Sequence, residues 1–137
     1  MYINLIQAAV LSDRSEPFTI KRRKINIDEF ETTEMIEDYL DIIPWVISYE
    51  RYNEEYDDYW CILVKCEDEE PAFVEFSDII RGIGEYLVND YNGCCPECTK
   101  EECIVEDDEG NLSFAFSDMC SAEIVLQLAM FDKVIYG

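Results

Sequence analysis

The apolar positions of the chain recur with two different periods, and each period predicts one type of element. Where apolar residues recur every three or four positions, one face of a helix is apolar. The clearest case runs from Met35 to Leu40, and Pro44 follows it as a helix breaker. The predicted helices are residues 2–12, a helix capped by Thr32 or Thr33 that ends near Ile42, one capped by Ser77 that ends near Asn89, and one capped by Ser121 over 122–130.

Runs in which apolar and polar residues alternate predict strands. The predicted strands are residues 17–25, 45–52, 59–66, 72–76, the two arms of a hairpin within 104–116, and 133–136. Because hairpins and separate helices follow one another along the chain, we expect an α+β fold with an antiparallel sheet built from hairpins and three to four helices packed on it. No linker or internal repeat divides the sequence, so one acidic α+β domain is expected over 1–137.

The net charge of the chain limits the kinds of molecule that it is expected to bind. The chain has 32 acidic and 10 basic residues and no histidine, for a formal net charge of −22. Its apolar fraction of 49% and aromatic fraction of 13% exclude a disordered acidic tail. The charge is therefore expected on a folded surface, which repels nucleic acid and anionic membranes and attracts basic protein surfaces.

Two features of the sequence predict the compartment. No run reaches the roughly 18 apolar residues that span a bilayer. The opening residues, Met1–Arg14, lack the basic region of a signal peptide. We therefore expect a cytoplasmic protein in a reducing compartment, where the seven cysteines are thiols or metal ligands rather than disulfides.

The motifs that usually mark an enzyme do not occur in the sequence. It has no phosphate-binding loop, no dinucleotide fingerprint and no nucleophile elbow. The lack of histidine removes most catalytic triads and most catalytic metal sites, and leaves a cysteine nucleophile without an imidazole partner. We therefore expect a protein that is not an enzyme and that requires no cofactor.

The densest group of cysteines lies between Cys94 and Cys103. Cys95 and Cys98 have the C-x2-C spacing of zinc ligands, Cys103 follows, and Cys120 is a candidate for the fourth ligand. A structural zinc ion at this site would make the chain a zinc-stabilised adaptor. The alternative is a loop of free thiols, and the spacing leaves both open.

The acidic residues gather in predicted turns, where water keeps carboxylates ionised. Such clusters suit catalysis poorly, and a merely solvated surface is the plainest account of them. A rigid fold with spaced carboxylates could instead imitate the phosphates of duplex DNA, with tyrosines as anchors. The candidate partner-binding residues are Glu54, Glu55, Asp57, Asp58, Glu67, Asp68, Glu69 and Glu70, together with Tyr52 and Tyr56.

In its size, its charge and its lack of catalytic apparatus, the chain resembles a class of small acidic phage-encoded inhibitors of host defence. This class includes DNA-mimic anti-CRISPR and anti-restriction proteins. The resemblance implies a non-enzymatic inhibitor that blocks a basic nucleic-acid-binding protein, such as a defence nuclease complex, and that binds no nucleic acid itself.

Four of the ten basic residues lie together, at Lys21, Arg22, Arg23 and Lys24. They could pair with acids of the same chain or bind an anionic nucleotide. The opening, NLIQAAVLS with PFTIKRRKI, and the close, SAEIVLQLAMFDKVIYG, are similar to the ends of phage nucleotide-sponge anti-defence proteins, although Ile25 stands where that family has Trp. This likeness implies, as an alternative function, a sponge that binds an anionic nucleotide signal through Arg22, Arg23 and Lys24.

Overall fold

The computed structural model of the protein describes residues 2–4, 24–52, 60–89 and 100–136. The helices are α1 (Glu29–Leu40), α2 (Phe76–Val88), α3 (Met119–Phe131) and a short 3₁₀ helix (Lys100–Cys103). The strands are β1 (Tyr2–Asn4), β2 (Lys24–Asn26), β3 (Val46–Arg51), β4 (Cys61–Cys66), β5 (Ala72–Glu75), β6 (Ile104–Glu106) and β7 (Leu112–Phe114). Over these ranges, no helix is long and apolar enough to cross a membrane.

The α+β prediction is confirmed, and the strands form two sheets rather than one. The first sheet has the order β1-β2-β7-β6, and the second has the order β3-β4-β5. All pairs of the second sheet are antiparallel, as the predicted hairpins require. In the first sheet β2 and β7 are parallel, with Ile25 opposite Leu112. Their long connection makes this pairing possible, because parallel neighbours cannot be joined by a tight turn.

Helix α1 begins earlier than predicted. Its N-cap is Asp28, whose carboxylate accepts a hydrogen bond from the amide of Glu31 at 2.9 Å. The predicted caps, Thr32 and Thr33, lie inside the helix and are buried. An aspartate at this position satisfies one of the amides that the first turn leaves free, so the helix extends back to it.

The caps of the other two helices are also acidic residues rather than the predicted serines. The N-cap of α2 is Glu75, whose amide donates a hydrogen bond to the carboxylate of Asp78 at 2.9 Å in a capping box, and Ser77 lies within the helix. At the start of α3, the Asp118 carboxylate accepts from the amide of Ser121, also at 2.9 Å. Ser121 is therefore the third helical residue of a capping box and not the cap itself.

One continuous hydrophobic core joins the two sheets and the three helices. Helix α3 lies at its centre, is buried over most of its circumference, and contacts α1, α2 and β5. Helices α2 and α3 approach closely at Gly82, where an added Cβ would lie 2.7 Å from the carbonyl oxygen of Val125. The largest apolar side chains that are fully buried are Ile25, Ile27, Ile36, Ile62, Ile79, Ile83, Leu87, Leu126 and Leu128.

The prediction of a closing strand at 133–136 is wrong. Helix α3 ends at Asp132, which has a left-handed backbone with φ of 58°, and the following residues turn back along the helix. The side-chain oxygen of the buried Gln127 accepts hydrogen bonds from the amides of Ile135, at 2.8 Å, and Tyr136, at 2.7 Å. Because these amides are bonded to a side chain, they are not available for a strand ladder.

The segment before β2 departs from the prediction where the structure describes it. Residues 2–4, predicted as the start of a helix, form strand β1, in which Ile3 is paired with Ile25. The predicted strand 17–25 is represented by β2 from Lys24 onward. The rest of both predictions, residues 5–12 and 17–23, lies outside the described residues.

Candidate acidic binding surface

Helix α1 and its C-cap residue carry four exposed carboxylates in a row, which we call the acidic ridge: Glu31, Glu34, Asp38 and the C-cap Asp41. They are three or four positions apart, so they lie on one face of the helix over about 15 Å. The opposite face is buried in the core through Ile36 and Leu40. The sequence pattern placed these acids outside the apolar stripe but gave no reason to select them as a site.

An exposed aromatic ring lies on the same face of α1. Phe30 precedes Glu34 by one helical turn and is 75% exposed. It is part of the first turn of the helix and is flanked by Glu29 and Glu31. A large, mostly exposed apolar side chain therefore borders the N-terminal end of the acidic ridge.

Glu37 lies between the acidic ridge and strand β3. Its carboxylate is 3.4 Å from the Nε of Arg51. Burial raises the pKa of Glu37 above its usual range, the neighbouring ridge carboxylates raise it further, and the Arg51 cation opposes them. The pKa of Tyr49, on β3, is raised for related reasons, first by burial and then by Asp41. The ridge thus acts electrostatically on the half-buried groups beneath it.

The predicted acidic residues Glu67–Glu70 form the turn between β4 and β5, which we call the acidic turn. All four are exposed, and Asp68 has a left-handed backbone with φ of 59°. The amide of Glu67 donates to the carbonyl oxygen of Trp45 at 3.0 Å, and the hydroxyl of Tyr136 donates to the carbonyl oxygen of Glu67. The turn is therefore anchored at its first residue, and its carboxylates point outward from a fixed backbone.

The structure separates Tyr52 from the acidic turn. Tyr52 follows the last residue of β3 and donates its amide hydrogen to the carbonyl oxygen of Cys61, at the start of β4. The acidic turn follows the other end of β4, about 17 Å away along the strand. The remaining predicted partner-binding residues, Glu54, Glu55, Tyr56, Asp57 and Asp58, lie outside the described residues.

Another acidic cluster, in the turn between β6 and β7, has a structural use. The carboxylate of Asp107 accepts hydrogen bonds from the amides of Glu109, at 2.9 Å, and Asn111, at 2.8 Å. These bonds lower the pKa of Asp107, with the bond from Asn111 as the largest cause. Gly110, with φ of +84°, provides the backbone conformation that closes the turn.

Only part of each alternative site can be placed. Lys24 is exposed at the start of β2, and its predicted companions Arg22 and Arg23 lie outside the described residues. Cys103 is fully buried, with its Sγ 3.4 Å from the hydroxyl of Ser117, and Cys120 is half-buried on α3. The remaining zinc candidates, Cys95 and Cys98, lie outside the described residues. The residues that the structure does describe contain no group of three side chains that could hold a metal ion.

Lowering the pH from 7 to 5 is expected to stabilise the protein against urea. Burial raises the pKa of Glu37 and of Glu123 above the usual value of 4.5. Between that value and the raised pKa, the folded state binds more protons than the unfolded state, so stability increases as the pH falls through the raised pKa. Relief of repulsion in a chain of charge −22 acts in the same direction. The urea midpoint should therefore be higher at pH 5 than at pH 7.

Two variants separate the buried carboxylates from the general charge effect. The double variant Glu37→Gln, Glu123→Gln should show a smaller difference between the two midpoints than the natural chain. Asp108→Asn, Glu109→Gln, which neutralises two exposed carboxylates, is the matched control. The lowered pKa of Asp107 matters only below its usual value of 3.8, outside this pH range. A midpoint that decreases between pH 7 and pH 5 would contradict the prediction.

Comparison with protein-family models, with curated proteins and with solved structures finds no match to the chain.

Proposed function

We propose that the protein is a non-enzymatic inhibitor whose acidic surface takes the place of nucleic acid on a basic, nucleic-acid-binding protein. The observation that carries this proposal is the acidic ridge, in which four exposed carboxylates are held on one capped helix. The function is of the anti-restriction or anti-CRISPR type, exercised in the cytoplasm of a host cell.

The charge density of the ridge is comparable with that of a nucleic acid strand. Each strand of B-DNA carries one phosphate charge per about 3.4 Å of helix axis. The ridge carries one carboxylate per about 5 Å of helix axis, at a rise of about 1.5 Å per residue. A basic groove that fits phosphates at this spacing can therefore also pair with the ridge.

Among the described residues, the ion pairs near the ridge involve other carboxylates. Arg51 pairs with Glu37, and Arg81 pairs with Asp78 and Asp132. None of these three pairs involves a member of the ridge or of the acidic turn. Together with Phe30, which supplies apolar area at the N-terminal end of the acidic face, the ridge has the composition of a charged contact with an aromatic anchor.

The acidic turn and the residues predicted from the sequence extend the proposed surface. Glu67–Glu70 are exposed and fixed, so they are suited to a second contact. Glu54, Glu55, Asp57, Asp58 and Tyr56 remain predictions of the same kind. The partner would have to present basic groups that are spaced widely enough to contact both the acidic ridge and the acidic turn.

Affinity capture from a bacterial lysate tests the proposal. The lysate is treated with nuclease, passed over the immobilised protein at low salt, and eluted with rising salt or with duplex DNA. We expect captured proteins that bind nucleic acid, that are released as salt increases, and that duplex DNA displaces. Capture that is indifferent to salt or to DNA would count against the proposal.

Neutralising the ridge is expected to weaken binding to a captured partner. The variant Glu31→Gln, Glu34→Gln, Asp38→Asn removes three charges that contribute about 0.5 kcal/mol each, so the dissociation constant should rise about tenfold. The matched control is Glu102→Gln, Asp108→Asn, Glu109→Gln, which removes three exposed charges elsewhere. Equal losses in the two variants would mean that net charge, and not the ridge, determines binding.

A further inference from the structure

The outer face of the β3-β4-β5 sheet carries a pair of aromatic rings in contact. The rings of Tyr52 and Phe73 have centroids 5.0 Å apart and planes at 77°. Tyr52 is 62% exposed and Phe73 is 55% exposed. Tyr52 follows β3 and Phe73 lies on β5, so the two rings meet above β4, the central strand. We call this pair the aromatic bridge.

The strand register places a carboxylate on each side of the aromatic bridge. Glu50 is opposite Leu63 on β4, and Leu63 is opposite Phe73 on β5. In the next row, Cys61 lies between Tyr52 and Glu75. Because side chains alternate along a strand, these residues share the outer face, while their neighbours Ile62, Val64 and Val74 are buried in the core.

Among the described residues of this face, the one lysine lies next to the row of Glu50 and two rows from Glu75. Lys65 is paired with Ser48, one row beyond Glu50 and Leu63. The row of Tyr52 and Glu75 lies one row further along β4, on the other side of Leu63. Of the two carboxylates, Glu75 is therefore the one farther from the lysine.

We propose that the aromatic bridge and its two flanking carboxylates bind an arginine side chain of the partner protein. This inference rests on the proposed function, since it names the partner chemistry that one part of the acidic surface recognises. A guanidinium group can stack on an aromatic ring while its N–H groups donate to a nearby carboxylate. Glu50 and Glu75 flank the rings in the strand register and supply the acceptors, although the Glu75 side chain also accepts from the amide of Asp78 at the start of α2.

Charge complementarity selects this occupant over the alternatives. A second copy of the chain would bring another −22 charges to a face that already has two carboxylates. A purely apolar segment would leave the Glu50 carboxylate without a compensating partner at a contact from which water is excluded. A lysine satisfies the charge, but its ammonium group is more strongly hydrated and lacks the planar shape that stacks on a ring.

Two peptides of equal length and charge provide the test. Labelled octa-arginine and octa-lysine are titrated with the purified protein, and the ratio of their affinities is measured. The natural chain should bind octa-arginine about threefold more tightly than octa-lysine. In the double variant Tyr52→Leu, Phe73→Leu, which keeps apolar side chains on the face, the ratio should fall to about one while the affinity for octa-lysine is retained.

The ridge variant described above is the matched control for charge. It should weaken both peptides equally and leave their ratio unchanged, because the acidic ridge lies on α1 and not on this sheet face. Urea midpoints of the variants confirm that each is folded. A ratio near one in the natural chain, or a ratio that persists in the double variant, would overturn the inference. The ratio of the two peptide affinities does not depend on which proteins are captured from the lysate. A failure of this inference can therefore be distinguished from a failure of the proposed function.

Discussion

Replacing Gly82 with alanine is expected to lower the free energy of unfolding by about 1–3 kcal/mol, the usual range for overpacking a tight contact. The new Cβ would lie 2.7 Å from the carbonyl oxygen of Val125 and 3.3 Å from the amide nitrogen of Ala129. Both are backbone atoms of α3, so neither can turn aside as a flexible side chain would. Helices α2 and α3 would have to separate at the centre of the core. Urea unfolding of the purified variant measures the change.

The same helix provides the matched control, since Gly84 is only two residues away and has nothing within 4 Å of its added Cβ. Gly84→Ala should therefore stabilise the protein by up to about 1 kcal/mol, because alanine is the better helix former. The two substitutions are chemically identical and should have opposite signs. If both variants were more stable than the natural chain, the close contact between the helices would be wrong.

Replacing Gln127 with methionine is expected to release the segment after α3 and to cost about 1–3 kcal/mol. Methionine keeps much of the side-chain volume but removes the oxygen that accepts from the amides of Ile135 and Tyr136. Tyr136 stacks on Trp45 with ring centroids 4.6 Å apart and planes at 6°, so its release would expose Trp45 to water.

Tryptophan fluorescence measures this release directly. The chain has two tryptophans, and a Trp60→Phe background makes Trp45 the only indole. In this background, Gln127→Met should shift the emission to longer wavelength and lower the urea midpoint. Val134→Ala, which changes an exposed residue of the same segment, is the control and should leave the emission unchanged. An unshifted emission in Gln127→Met would contradict the proposed anchoring of the segment.

The periods of the sequence predicted most elements of the fold but not their starts. The β3–β4 pair, β5 and the β6–β7 hairpin were predicted within a few residues, because alternation and turn residues are local signals. The caps were missed because several capping residues precede each helix. Asp28 and Thr32 are both good candidates, and only the three-dimensional position of the buried face decides between them.

Long-range contacts account for the wrong predictions. The 133–136 segment has the composition of a strand, but the side chain of Gln127 takes up two of its amides. A single sequence does not reveal this, because glutamine is usually exposed. The parallel pairing of β2 with β7 was equally beyond a local pattern, since no short-range signal connects Ile25 with Leu112.

For the candidate site, the sequence predicted exposure but not arrangement. It placed Glu67–Glu70 in a turn, and the structure confirms that they are exposed there. It grouped Tyr52 with them, whereas the structure puts Tyr52 at the other end of the hairpin, in contact with Phe73. The ridge was visible as a polar helix face, but polarity alone does not distinguish a solvated face from one that binds a partner.

The two sheets also differ in when their strands leave the ribosome. Strands β3, β4 and β5 are consecutive in the chain, so the second sheet is complete once residue 75 has been synthesised. The first sheet needs β7, which ends at Phe114, to join β2 to β6. A nascent chain therefore holds Ile25 without its strand partner Leu112 until β7 has been synthesised, and the first sheet is completed only after the second.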